Sequence, residues 1–147
     1  MIPLPPDFKE FLRLLNSLHV EYLLIGGYAV SYHGYPRSTA DMDVWISISP
    51  ENAQKLVAAL QAFGFGTTNV ATDLFLHPDQ ITRMGHPPFR IEIMTSVSGL
   101  DFAEAYAKRV VDVIEGIPVS LINLEHLKIN KRASGRLKDL ADLDYLP

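Results

Sequence analysis

Apolar residues at the start of the chain recur at helical spacing. Phe8, Phe11, Leu12, Leu15 and Leu18 lie three and four positions apart, which predicts an amphipathic helix with Asp7 as its N-cap. "YLLIGG" then reads as a short buried strand ending in two glycines. "YAVSYH" reads as a brief helix that Gly34 stops in the left-handed C′ position. From Asp41, "DMDVWISI" has the alternation of a strand: Met42, Val44, Ile46 and Ile48 fill one face, while Asp41, Asp43, Trp45 and Ser47 form the polar row. "SPENAQKLVAALQAFG" is a punctuated helix, with Ser49 as N-cap, Pro50 at the first helical position and Gly64 at the end. "DLFLH", "QITRMG" and "FRIEIMT" read as strands separated by His-Pro-Asp and His-Pro-Pro turns. "DFAEAYAKR" predicts a helix, and "RVVDVIEGIPVSLI" two strands around Glu115-Gly116. "NLEHLKINKRASGRLKDLADLDYL" predicts two helices hinged near Ser134-Gly135.

Strand and helix periods therefore alternate along the chain, with no repeat, linker or low-complexity segment between them. The expectation is one mixed α/β (α+β) domain over residues 1–147. Composition narrows its chemistry. The chain has no cysteine, which excludes thiol catalysis, disulfides and cysteine-ligated zinc. His19, His33, His77, His86 and His126 show no zinc spacing. Ser31, Ser38 and Ser96 have no nucleophile-elbow context, and Gly26-Gly27 belongs to no Walker or dinucleotide-binding pattern. A net charge of −4 speaks against general binding to nucleic-acid backbones, and surplus acid suits bound divalent cations. The longest uncharged run, 22–36, is too short to span a membrane, and the N-terminus lacks a signal-peptide pattern. A cytoplasmic protein without membrane contact is expected.

The informative stretch is "GGYAVSYHGYPRSTADMDVWI". Asp41 and Asp43 are two apart on a predicted strand, so both project to one face, where like charges are costly unless a cation lies between them. Glu92, in "RIEIM", joins them if the two strands are neighbours. Three carboxylates make an oxygen-rich site suited to Mg²⁺, although an acid on a strand edge also serves plain solvation. Gly26-Gly27 lets a phosphate approach the backbone before a helix, or simply makes a tight turn. Arg37 can meet a phosphate or an acid, and Thr39 can fix the loop by hydrogen bonding. Tyr28, Tyr32 and Tyr35 offer faces for base stacking, with core packing the more ordinary use.

Together these residues resemble the signature of the nucleotidyltransferase superfamily typified by DNA polymerase beta. The form Arg-x-Thr-x-Asp-hydrophobic-Asp is similar to small bacterial stand-alone members related to abortive-infection and toxin nucleotidyltransferases. The resemblance implies a mixed twisted sheet flanked by helices with a C-terminal helical pair. It implies Gly26 and Gly27 as the triphosphate turn and Asp41 and Asp43 as metal ligands. Glu92 stands at the third acid, where many relatives carry aspartate; it is either a further metal ligand or the base that deprotonates the acceptor. The end of the chain resembles the family's closing motif through Lys131, Arg136, Asp139 and Asp142, which implies Lys131, with Arg136 beside it, near the triphosphate. A surface ladder of charges at helical spacing is the alternative.

The resemblance thus implies Mg²⁺, as two ions and replaceable by Mn²⁺, and a nucleoside triphosphate whose nucleotide moves to a hydroxyl with release of pyrophosphate. The acceptor, whether small molecule, tRNA or protein, is not legible. Neither is the preferred base, nor whether a homo-oligomer or partner subunit completes the site. A non-catalytic nucleotide-binding or antitoxin-like module on the same fold is the rival reading.

Overall fold

The structure is a computed structural model describing residues 3–65, 71–86 and 89–147. Helix α1 (Pro6–Ser17) leads into β1 (Tyr22–Ile25), which passes directly into α2 (Gly26–Tyr32); β2 (Asp41–Ile46) and α3 (Pro50–Leu60) follow. The chain then forms β3 (Ile81–His86), β4 (Phe89–Met94), α4 (Phe102–Ala107), β5 (Val110–Ile114), β6 (Ile117–Leu121), α5 (Leu124–Ser134) and α6 (Leu137–Tyr145). All six strands share one mixed sheet in the order β3-β4-β2-β1-β6-β5. Neighbours β2 and β4 run parallel, as do β1 and β6, while β1 and β2 are antiparallel.

Strand alternation divides the core in two. Tyr22 and Leu24 of β1, Met42, Val44 and Ile46 of β2, and Ile91 and Ile93 of β4 meet the apolar stripe of α1 and the buried face of α3. Leu23, Ile25 and Trp45 point the other way, to a smaller cluster with Ala29, Ala105, Ile122 and Leu127. The central strand β1 is thereby covered on both faces, with all four of its residues buried. Asp41, Asp43 and Glu92 belong to the second face, so the acids lie over the smaller cluster, on the side of the C-terminal helices.

Punctuation accounts for several element ends. Ser49 accepts a hydrogen bond from the Asn52 N–H and caps α3, Asn123 caps α5 through the His126 N–H, and Gly135 breaks α5 from α6 at φ +65. Gly34 follows α2 with φ +128. Other expectations are corrected. Asp7 is not the cap of α1: the helix enters through Pro5 and Pro6, whose fixed φ serves the first turn, and Asp7 lies within that turn. "DLFLH" is not a strand; Thr72–Phe75 forms a 3₁₀ helix whose one buried anchor is Phe75. The α3 helix ends at Leu60, before a π turn (Gln61–Phe65) that contains Gly64 at φ +114. Strand β2 stops at Ile46, so Ile48 is exposed rather than in the core. Trp45 leaves the polar row: it is buried, with its ring edge-on to Phe102 at 5.1 Å. Positions 87 and 88 of the His-Pro-Pro turn lie outside the described residues.

Candidate active site

Strand pairing gathers the acids. Asp43 and Glu92 are register partners across the parallel β2–β4 pair, and Asp41 lies two residues before Asp43 on the same face. Each outer carboxylate is held by an arginine: the Arg90 Nε lies 3.3 Å from Asp41 and the Arg83 Nε 2.9 Å from Glu92. Asp43 between them has no such partner. Its Oδ1 is sealed from solvent without a hydrogen bond. Burial, then the charges of Glu92 and Asp41, push its carboxyl up to about 7, against a smaller opposing effect of Lys138.

Gly26 makes this arrangement possible. It has φ +67, and a Cβ there would lie 2.1 Å from the Asp43 Oδ2. The tight turn and the close approach are therefore one feature: β1 can enter α2 beside the carboxylate only without a side chain. A Cβ on Gly27 would meet the Thr39 side chain at 2.8 Å, and the Thr39 hydroxyl donates to the Asp41 carbonyl at 3.2 Å. Thr39 thus lies beneath the turn and ties it to the acid strand.

An open cavity of about 650 Å³ runs from this turn along the second face of β4. Gly26, Gly27, Arg37, Asp41, Asp43, Glu92, Lys131 and Arg136 all line it, whereas Thr39 does not. All three cations among them are engaged with acids. Arg37 makes two hydrogen bonds to the Asp142 carboxylate, both at 2.9 Å. The Lys131 ammonium is buried, 2.8 Å from Asp139 and 3.0 Å from Asp142. The Arg136 Nε is 2.9 Å from Asp139, while its side chain is largely exposed. Burial alone would raise the Asp139 carboxyl, but hydrogen bonds from Lys131, Ser134 and Arg136 and the Lys131 charge outweigh it and hold the group at about 2. Asp142 lies below its ordinary value by the same balance, with Arg37 and Lys131 as the donors. The closing motif is thus neither a solvated ladder at Lys131, Asp139 and Asp142 nor a free row of cations. It is a buried ion network joining α5 and α6 to the loop before β2.

Residues 7–145 match the protein family described as nucleotidyltransferase of unknown function (DUF6036). The chain belongs to this family. Among solved structures, a Thermotoga maritima protein provisionally named a nucleotidyltransferase matches with a TM-score of 0.65 at 16% identity, over 92% of this chain and 87% of that one. An antigenic nucleotidyltransferase-like protein from Paracoccidioides brasiliensis gives a TM-score of 0.52 at 21% identity, over 97% of this chain and 75% of that one. At such identities these likenesses establish the fold, a mixed sheet flanked by helices. No curated protein matches the chain. Among the described residues, no helix is long and apolar enough to cross a membrane.

The oxygen donors of the site suit a hard divalent cation in kind, and the unpartnered Asp43 Oδ1 is a buried acceptor for one. Among the described residues, however, no three His, Asp or Glu side chains are already gathered as a metal-binding set. Asp41 and Glu92 are instead paired with Arg90 and Arg83. Arg83, Arg90 and Lys138 were not singled out from sequence. Arg83 and Arg90 carry a readable signal, since each lies two positions, or one cross-strand pairing, from Glu92.

Proposed function

We propose that this protein transfers a nucleoside monophosphate from a nucleoside triphosphate to a hydroxyl acceptor, with Asp41, Asp43 and Glu92 around two Mg²⁺ ions, or Mn²⁺ in their place. The observation that carries the reading is the half-buried Asp43, opposed in register to Glu92, unpartnered at Oδ1 and packed against a glycine turn at the head of a large cavity. A carboxylate burdened in this way costs stability unless a cation answers it. In the reaction the acceptor oxygen bonds to the α-phosphorus as the bond to the bridging oxygen of the β-phosphate breaks; pyrophosphate leaves and the hydroxyl proton passes to a base. Bound Mg²⁺ supplies charge stabilisation of the phosphoryl oxygens. The chain's own contribution is to hold the acids on one face, admit phosphate at Gly26 and Gly27, and oppose the developing charge with cations from the C-terminal helices.

Calorimetric titration of ATP, GTP, CTP and UTP, with Mg²⁺ and with EDTA, tests this on wild type and Asp41→Asn. Mg²⁺-dependent binding that the variant loses is expected, and the same assay names the base. Glu92→Gln divides the two roles of that residue: lost binding marks a ligand, and retained binding with pyrophosphate release at least 100-fold slower marks the base. Absence of binding to every triphosphate overturns the proposal. A second reading, a nucleotide-binding module without transfer, draws on the arginines that occupy Asp41 and Glu92. It predicts Mg²⁺-dependent binding with no pyrophosphate released.

A further inference from the structure

Five cationic side chains line the cavity: Arg37, Arg83, Lys131, Arg136 and Lys138. Four are bound to carboxylates. Arg37 is committed to Asp142, Lys131 to Asp139 and Asp142, Arg136 to Asp139 and Arg83 to Glu92. Lys138, exposed in the first turn of α6, has no ion-pair partner among the described residues. It lines the same cavity as Asp41, Asp43 and Glu92.

We propose that Lys138, rather than Lys131, is the cation that meets the triphosphate. The argument rests on what each side chain would give up. Drawing Lys131 to a phosphate strips two buried aspartates of their ammonium, a heavy loss for charges kept from water. Arg37 has the same obligation to Asp142. Arg136 and Arg83 are more exposed, but each would desert an acid. Lys138 gives up only water, and it shares the cavity with the acids that the α-phosphate would approach. The adjacent Asp139 is turned inward and anchors the α6 turn, which places Lys138 without consuming its charge. Lys131 is then a positioning residue, acting on the site through Asp139 and Asp142.

This inference rests on the nucleotidyl-transfer reading, so the experiment separates the two. Inorganic tripolyphosphate with Mg²⁺ serves as a probe independent of the base, titrated alongside the four nucleoside triphosphates. Lys138→Met is expected to weaken tripolyphosphate binding roughly tenfold or more, the size of a lost charge-assisted contact, and to flatten its salt dependence. Lys138→Arg is expected to restore most of the affinity. The melting temperature of both variants should match wild type, because Lys138 is exposed and unpaired. Binding by Lys138→Met equal to wild type, in a protein whose Asp41→Asn variant has lost it, overturns this inference and leaves the transfer reading standing. A wild type that binds neither tripolyphosphate nor any nucleoside triphosphate overturns both.

Discussion

At the scale of single residues, Asp43 carries the site's tension. In the fold its carboxyl holds a proton up to about pH 7, whereas a carboxyl of ordinary acidity releases it near 3.8. Native protein therefore binds more protons than unfolded chain between those values. Stability falls as pH rises through that window and stays low above it. In EDTA, Asp43→Asn should melt about 2–5 °C above wild type at pH 8, a shift of order 1 kcal/mol for a domain of this size, and at the same temperature near pH 4. A variant no more stable than wild type at pH 8 would mean that the Asp43 charge is already compensated within the fold. Gly26 explains why the tension persists. Any side chain there would strike Asp43, so the turn and the acid are fixed as a pair.

At the scale of elements, the C-terminal helices are held by ions rather than by a wide apolar stripe. Lys131 in α5 and Asp139 and Asp142 in α6 form the buried network, and Arg37 extends it to the loop that delivers Asp41. Breaking a buried pair from one side leaves an uncompensated charge, so Lys131→Met should cost about 3–5 kcal/mol in a denaturant melt at pH 7. Its acid dependence has a definite sign. The folded Asp139 carboxyl lies at about 2, below the unfolded 3.8, so its stabilisation is complete above pH 4 and is lost as pH falls toward 2. The gap between wild type and Lys131→Met should accordingly narrow over that interval; a constant gap would place the lysine's worth in packing. Much of this level was readable in the sequence, because Ser49, Gly135 and the alternation of β2 act locally. The strand expected at "DLFLH" failed since four residues with one buried anchor bear no period. Trp45 likewise departed from its polar row because α4, distant in sequence, covers it with Phe102.

At the scale of the whole molecule, the cavity joins parts of the chain that no local pattern connects. Gly26 and Asp43 come from its first third, Glu92 from its middle and Lys131 to Asp139 from its end. The individual acids and glycines were legible in the sequence. The commitment of Lys131 and Arg37 to Asp139 and Asp142 was not, because it depends on how α5 and α6 fall across the sheet. A site assembled in this way exists only if both apolar clusters and the ion network form together. Trp45 reports on that assembly, being the chain's single tryptophan and buried in the cluster beneath the acids. If residues 1–147 fold as one domain, urea unfolding followed by Trp45 fluorescence and by far-ultraviolet circular dichroism should give coincident transitions with one midpoint. Lys131→Met should lower that midpoint in both signals equally. A Trp45 transition that precedes the loss of helix would instead show the C-terminal half letting go of the sheet first. The cavity would then be a junction between two separately stable units, and ligand binding would have to supply the energy that holds them together.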